Sequence, residues 1–247
     1  MKIYYVSSYD DIIRIAYELK VQHSDGVLFR GTSAPLVPSL VQKLNYNSYA
    51  DLVVKEHLLL NEFNKYSHLN YKFEEGYNLD WEIRIAAREH GLASSLMDWS
   101  ISLDTAIEFA IHNFEAKKID YTNIWILIKP GIEQISIPEK SISFNEIVTP
   151  TIIQFTPYAE TSYYKRKFVQ GGYFLKQPFQ DITTPLDQNF FYSEHLVRLI
   201  IPKNSVGEIW KKIALIINLD LPAMPVKNIS DNALDEICIE LNKKMLD

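Results

Sequence analysis

The stretch Val27 to Pro38, VLFRGTSAPLVP, sets one cation where a ligand can reach it. Val27, Leu28 and Phe29 lead into Arg30, and Gly31, Thr32 and Ser33 then break the run, the pattern of a buried strand ending in a loop. A guanidinium is always charged and presents a rigid fork of donors, so at a strand end beside a glycine it suits a carboxylate, a phosphate or a pyrophosphate. Gly31 lets a ligand approach the backbone, and the Thr32 and Ser33 hydroxyls can add hydrogen bonds. The competing reading is a structural arginine paired with an acidic side chain, and on these residues alone the two are evenly matched.

A second group of polar residues lies in the segment NLDWEIRIAAREHGLASSLMDWSISLDTAIEFAIHNF. Asp80 can cap a helix that packs Trp81, Ile83, Ile85, Ala86 and Ala87 inward, with His90-Gly91 as its end. Leu92 to Met97 runs into Asp98-Trp99-Ser100. A second helix starts near Leu103, capped by Ser102, and buries Ala106, Ile107, Phe109, Ala110 and Phe114. Asp98 and Ser100 are thus caught between apolar segments, where a bare polar group costs about 1–3 kcal/mol, so partners or a ligand must satisfy them. His90 reads either as a general base or as a donor to a helix-end carbonyl, with capping preferred. His57 has no second histidine at ligand spacing, so no metal site is expected.

The elements that must position these groups alternate irregularly. Strands are expected at Ile3 to Val6, Val27 to Arg30, Asn123 to Lys129, Phe168 to Leu175 and Leu196 to Ile201, and further helices near Ile12 to Leu19, Tyr49 to Tyr66, Val206 to Ile217 and Ile229 to Leu246. Gly131 to Tyr164 resists assignment, and connections of that length are often functional loops. The reading is an α+β fold with a central mixed or antiparallel sheet and packed helices. With 247 residues and 47% hydrophobic content, one domain is expected over 1–247, its core at about 22–220 with helical additions at either end.

A formal charge of −6 and a pI near 5.6 argue against a protein that coats nucleic acid. No paired metal-binding carboxylate motif supports a nuclease. Cys238, the only cysteine, has the spacing of a helix core residue, and a lone cysteine excludes a disulfide framework within the monomer. No secretory leader or membrane-length apolar run is visible, so the expected location is cytoplasmic, with no membrane partner.

Phe29-Arg30-Gly31, then REHGLASSLMDWS from Arg88 to Ser100 with a following helix holding Ala106 and Phe109-Ala110, then RKFVQGGYF from Arg166 to Phe174, come in an order that resembles the FRG domain, from about Val27 to the C-terminal helix. A more distant likeness is to ADP-ribosyltransferases of the arginine, serine, glutamate type. That likeness implies an ADP-ribosyltransferase-like fold with NAD as cofactor. Arg30 would be the cofactor-anchoring arginine, with Gly31, Thr32, Ser33 and His90 around it, and Trp99 and Ser100 would brace the nicotinamide ribose. It implies a transferase or NAD glycohydrolase, of a kind that in bacteria serves as a toxin or in anti-phage defence, acting on a protein acceptor or partner. The expected glutamate is replaced by Gln170, which leaves Asp98 and Glu194 as alternative acids. Loss of that glutamate favours the other reading, a non-catalytic nucleotide-sensing or protein-interaction module.

Overall fold

The computed structural model describes residues 1–23, 26–67, 79–112, 114, 119–137, 142–155, 172–220 and 229–246. Eight strands form one mixed sheet: β1 (Lys2–Tyr5), β2 (Val27–Thr32), β3 (Leu96–Ser100), β4 (Tyr121–Ile128), β5 (Glu133–Ile137), β6 (Thr151–Phe155), β7 (Gly172–Lys176) and β8 (Leu196–Pro202). Their order is β1-β8-β4-β2-β3-β7-β6-β5, with β1/β8 and β5/β6 parallel and the other neighbours antiparallel. The described helices are α1 (Tyr9–Gln22), α2 (Ser39–Lys43), α3 (Tyr49–Ser67), α4 (Leu79–Glu89), α5 (Leu103–Ile111), α6 (Phe190–Ser193), α7 (Lys203–Asp220) and α8 (Ile229–Lys244).

Several starts follow from local chemistry. The Ser8 hydroxyl accepts from the Asp11 amide and opens α1, and Ser102 accepts from the Thr105 amide and opens α5. Gly91, at φ +85°, takes the left-handed turn that ends α4. Two expectations change. β2 runs through Gly31 to Thr32 rather than stopping at Arg30, and Asp98 to Ser100 are strand rather than connection. The unassigned Gly131 to Tyr164 stretch contains β5 and β6. The N-terminal strand pairs with β8 and belongs to the sheet.

Strand register sorts the core. Phe29 stands opposite Ser100 and Ile126, so Val27, Phe29, Gly31, Asp98 and Ser100 share one face. On that face α1, α5 and α7 cover the half-sheet β1-β8-β4-β2, where Phe29, Ile124, Ile126 and Leu199 pack with Ala106 and Ile107. Trp81 and Ile85 of α4, with Phe144 and Ile147, cover the half-sheet β3-β7-β6-β5. The opposite face buries Leu28, Met97, Trp99, Trp125 and Leu127. Helices α2, α3, α4 and α8 share a further cluster that includes Cys238, which is free and fully buried.

A buried ionic group ties α3 and α4 to the start of β3. Glu56 accepts from the Ser95 amide at 2.6 Å and its hydroxyl at 2.9 Å, and lies 3.6 Å from Arg84. Arg84 also grips Asp80, and its guanidinium lies 3.9 Å from the Phe144 ring centre. Lys176, only 1% exposed, donates to the Ile147 carbonyl and lies 4.7 and 4.8 Å from the Phe144 and Phe179 ring centres.

Burial pushes the Lys176 ammonium down to about 8, against the opposing pull of Glu56. From pH 8 up to the ordinary lysine value of 10.5 the unfolded chain holds a proton the folded chain has released, so the Lys176 contribution to stability rises with pH. Cys238, raised by burial to about 12 from 9.0, works in the opposite direction from about pH 9. The comparison is therefore with Lys176→Met. Between pH 8 and 10 the wild type should gain on the variant by on the order of 1 kcal/mol per pH unit in urea denaturation. A difference that stays flat with pH would contradict the assignment.

Candidate functional site

The two half-sheets meet at one paired position. Between β2 and β3 the register holds only at Phe29 opposite Ser100. One pair further on, Gly31 would face Asp98, but there the Asp98 carbonyl accepts from Arg30 Nη1. A side chain thus replaces a rung of the backbone ladder. On the helix-covered face above this seam lies an open cleft of about 280 Å³, lined by Arg30, Arg88, Glu89, Asp98, Ser100 and Phe109 among others.

Each residue of the Phe29-Arg30-Gly31 triplet has its own task. Phe29 is fully buried among the α1 and α5 side chains, with Lys20 Nζ 5.1 Å from its ring centre. Arg30 spans the seam. Gly31 admits no Cβ: one placed there would lie 1.7 Å from the Ala106 carbonyl oxygen and 2.5 Å from the Ala110 amide nitrogen. The missing side chain lets α5, through its Ala106 and Ala110 stripe, lie directly on β2. Gly31 lines the cleft as well, but the close approach that its missing side chain allows is made by a helix.

That contact fixes the next stripe of α5. Thr105 and Phe109, one turn apart, face the cleft, and Phe109 is 55% exposed. The expectation that Phe109 is core fails because Gly31 draws the neighbouring alanine stripe inward. Trp99, expected as a ring-stacking wall, is among the lining residues of the cleft, but it is only 2% exposed and packs with Met97 and Trp125 on the opposite face, its indole N–H without a partner among the described residues. Phe109 is the ring offered to a ligand.

Charge in the cleft is nearly balanced. Arg88, the last residue but one of α4, pairs with the Asp98 carboxylate, whose side chain is 39% exposed. Burial pushes the Arg30 guanidinium down to about 10, with Asp98 opposing and Arg88 reinforcing the shift, so it stays protonated at neutral pH. Arg88 and Glu89 escaped sequence reading, although they open the REHG block and stand ten and nine residues before Asp98.

The remaining expected residues lie elsewhere. Thr32 accepts from the Ala34 amide in the turn after β2, and neither it nor Ser33 lines the cleft. His90 turns away: its Nδ1 is 2.9 Å from Asp235 of α8, and it lines a separate groove with Lys43, Asn242 and Lys243. It therefore lies in a groove apart from Arg30, and its Nδ1 faces a carboxylate. Glu194 caps the C-terminus of α6, exposed and away from the cleft, so it is not brought to Asp98. Gln170 lies outside the described residues, as does most of the RKFVQGGYF block. Among the described residues no group of three or more His, Cys, Asp or Glu side chains is placed for a metal ion. No described helix is long and apolar enough to cross a membrane.

Fold and site together define an α+β protein with an eight-stranded mixed sheet and a polar cleft at the centre of that sheet. Residues 25–118 match the family model of the FRG domain. The match ends after α5, short of the C-terminal helix to which the sequence resemblance reached, yet it holds every lining residue of the cleft except Gly172. No curated protein and no solved structure matches the chain.

Proposed function

We propose that the FRG cleft binds NAD, with Arg30 and Arg88 holding its pyrophosphate, Phe109 stacking on a ring and Asp98 meeting a ribose hydroxyl. The observation that carries this reading is the convergence of two guanidiniums, a half-open carboxylate and an exposed aromatic ring on one cleft. Guanidiniums are suited to pyrophosphate, and a ring platform is worth about 1–3 kcal/mol per stacked base. At about 280 Å³ the cleft suits one half of a dinucleotide, the other half lying over its open side.

In the enzymatic form of this reading the bond between nicotinamide and the ribose anomeric carbon breaks, and nicotinamide leaves with the bonding electrons. Water or an acceptor nucleophile then attacks that carbon and releases its own proton. Asp98 stabilises the positive charge that develops on the sugar. The sensing alternative has its own support, since Asp98 is already paired with Arg88 and Glu194 lies outside the cleft.

Calorimetric titration with NAD tests both. Wild type should bind saturably. Phe109→Ala, a change at an exposed position that leaves the core intact, should weaken binding about tenfold or more, and Arg30→Lys should weaken it further through loss of the donor fork. Nicotinamide release assigns the enzyme, and binding without release assigns the sensor. No binding by folded wild-type protein refutes the NAD reading.

A further inference from the structure

The cleft contains an anion of its own. Arg88 uses Nη2 on the Asp98 carboxylate, while its buried Nε has no partner among the described residues. A guanidinium recognises an oxyanion best through two parallel N–H donors, and here one of them is idle. Arg30, close enough for Arg88 to depress its proton affinity, bonds the carbonyl of the same aspartate rather than its carboxylate. One aspartate thus answers two arginines, its carbonyl meeting Arg30 and its carboxylate Arg88.

We infer that Asp98 is a built-in competitor for the anion-binding groups of this cleft, and that a ligand carrying a pyrophosphate displaces its carboxylate from Arg88. The inference rests on the cleft being an anion site, as in the proposed function, and adds the order of events there. A pyrophosphate offers enough oxygens to engage Nε and Nη2 of Arg88 together and to reach towards Arg30, which relieves the repulsion between the two cations. The Asp98 side chain is partly exposed, so leaving Arg88 returns it to water at little desolvation cost. Displacement then releases the carboxylate from Arg88 at the moment the ligand arrives. Asp98 can meet a ribose hydroxyl only after the phosphates have docked, so occupation of the anion site licenses the group beside it.

The probe is inorganic pyrophosphate, titrated by calorimetry into wild type, Asp98→Asn and Arg88→Gln. Removing a competitor should tighten binding, so Asp98→Asn is expected to bind about tenfold better than wild type, and Arg88→Gln about tenfold worse. Wild-type binding that Asp98→Asn leaves unchanged or weakens overturns the inference, while the NAD reading survives. Tighter pyrophosphate binding by Asp98→Asn with no NAD binding by any variant upholds the inference and removes the NAD reading. No pyrophosphate binding by any of the three proteins overturns it.

A second measurement needs no variant. In wild-type protein carrying 13C at the aspartate carboxyl carbons, saturating pyrophosphate should move the Asp98 resonance towards those of solvated aspartates. A resonance that stays in place while pyrophosphate binds overturns displacement.

Discussion

Gly31→Ala is expected to cost about 3 kcal/mol or more of stability, enough to leave much of the protein unfolded at physiological temperature. The added methyl would fall on the helical hydrogen bond that the Ala110 amide makes to the Ala106 carbonyl. Backbone cannot swing aside as the end of a flexible side chain can. Either α5 retreats from β2 and opens the core around Phe29 and Ile107, or the strand bends at the seam. The control is Gly207→Ala in α7, where a methyl meets nothing within 4 Å, and where replacing a helical glycine should stabilise by about 0.4–1 kcal/mol. Urea denaturation of the two variants should therefore give shifts of opposite sign. A Gly31→Ala protein within about 1 kcal/mol of wild type would mean that α5 does not rest on the strand as described.

Glu56→Ala should be nearly as damaging, at about 3–5 kcal/mol, because it removes one member of a buried ionic group and leaves the others in place. Among the described residues Arg84 would keep Asp80, whose side chain is largely exposed, as its acidic partner. The Ser95 amide, immediately before β3, would lose its acceptor. The change should also reach the cleft, since Ser95 starts the backbone that delivers Asp98. The double variant Glu56→Gln with Arg84→Met should recover part of the loss, because the uncompensated cation is gone. If denaturation gave the single and the double variant the same deficit, the ionic pair would not be the source.

Sequence patterning located most of the elements, because caps and periodicity are local properties. Ser8 and Ser102 announce α1 and α5 through one hydroxyl each, and the apolar runs of β4 and β8 are plain. It missed β5 and β6, five-residue strands at one end of the sheet that pair in parallel with each other across an intervening connection, β6 pairing antiparallel with β7 as well. In the site it found Arg30 and Asp98, which both line the cleft. It placed Gly31 and Trp99 at the cleft but misread what packs on them, and it took the cleft-lining Phe109 for core. Periodicity says that a side chain alternates or recurs, but which stripe is covered is decided by how closely one element lies on another. Gly31 with Ala106 and Ala110 is the sequence signal for that close approach, legible once the three are known to meet. Arg88, by contrast, belongs to an amphipathic helix in which a charged residue near the C-terminus needs no special explanation.

The seam between β2 and β3 also bears on how the molecule carries motion. An ordinary sheet is stiff because each strand is riveted to the next at every second residue. Here two four-stranded plates share one backbone rivet at Phe29 and Ser100 and one side-chain strut from Arg30. Relative twist of the plates concentrates at that line, and the cleft stands directly over it. Whatever bridges Arg30 and Arg88 becomes a keystone between the plates, so occupancy should be readable far from the ligand as slower amide exchange along β2 and β3.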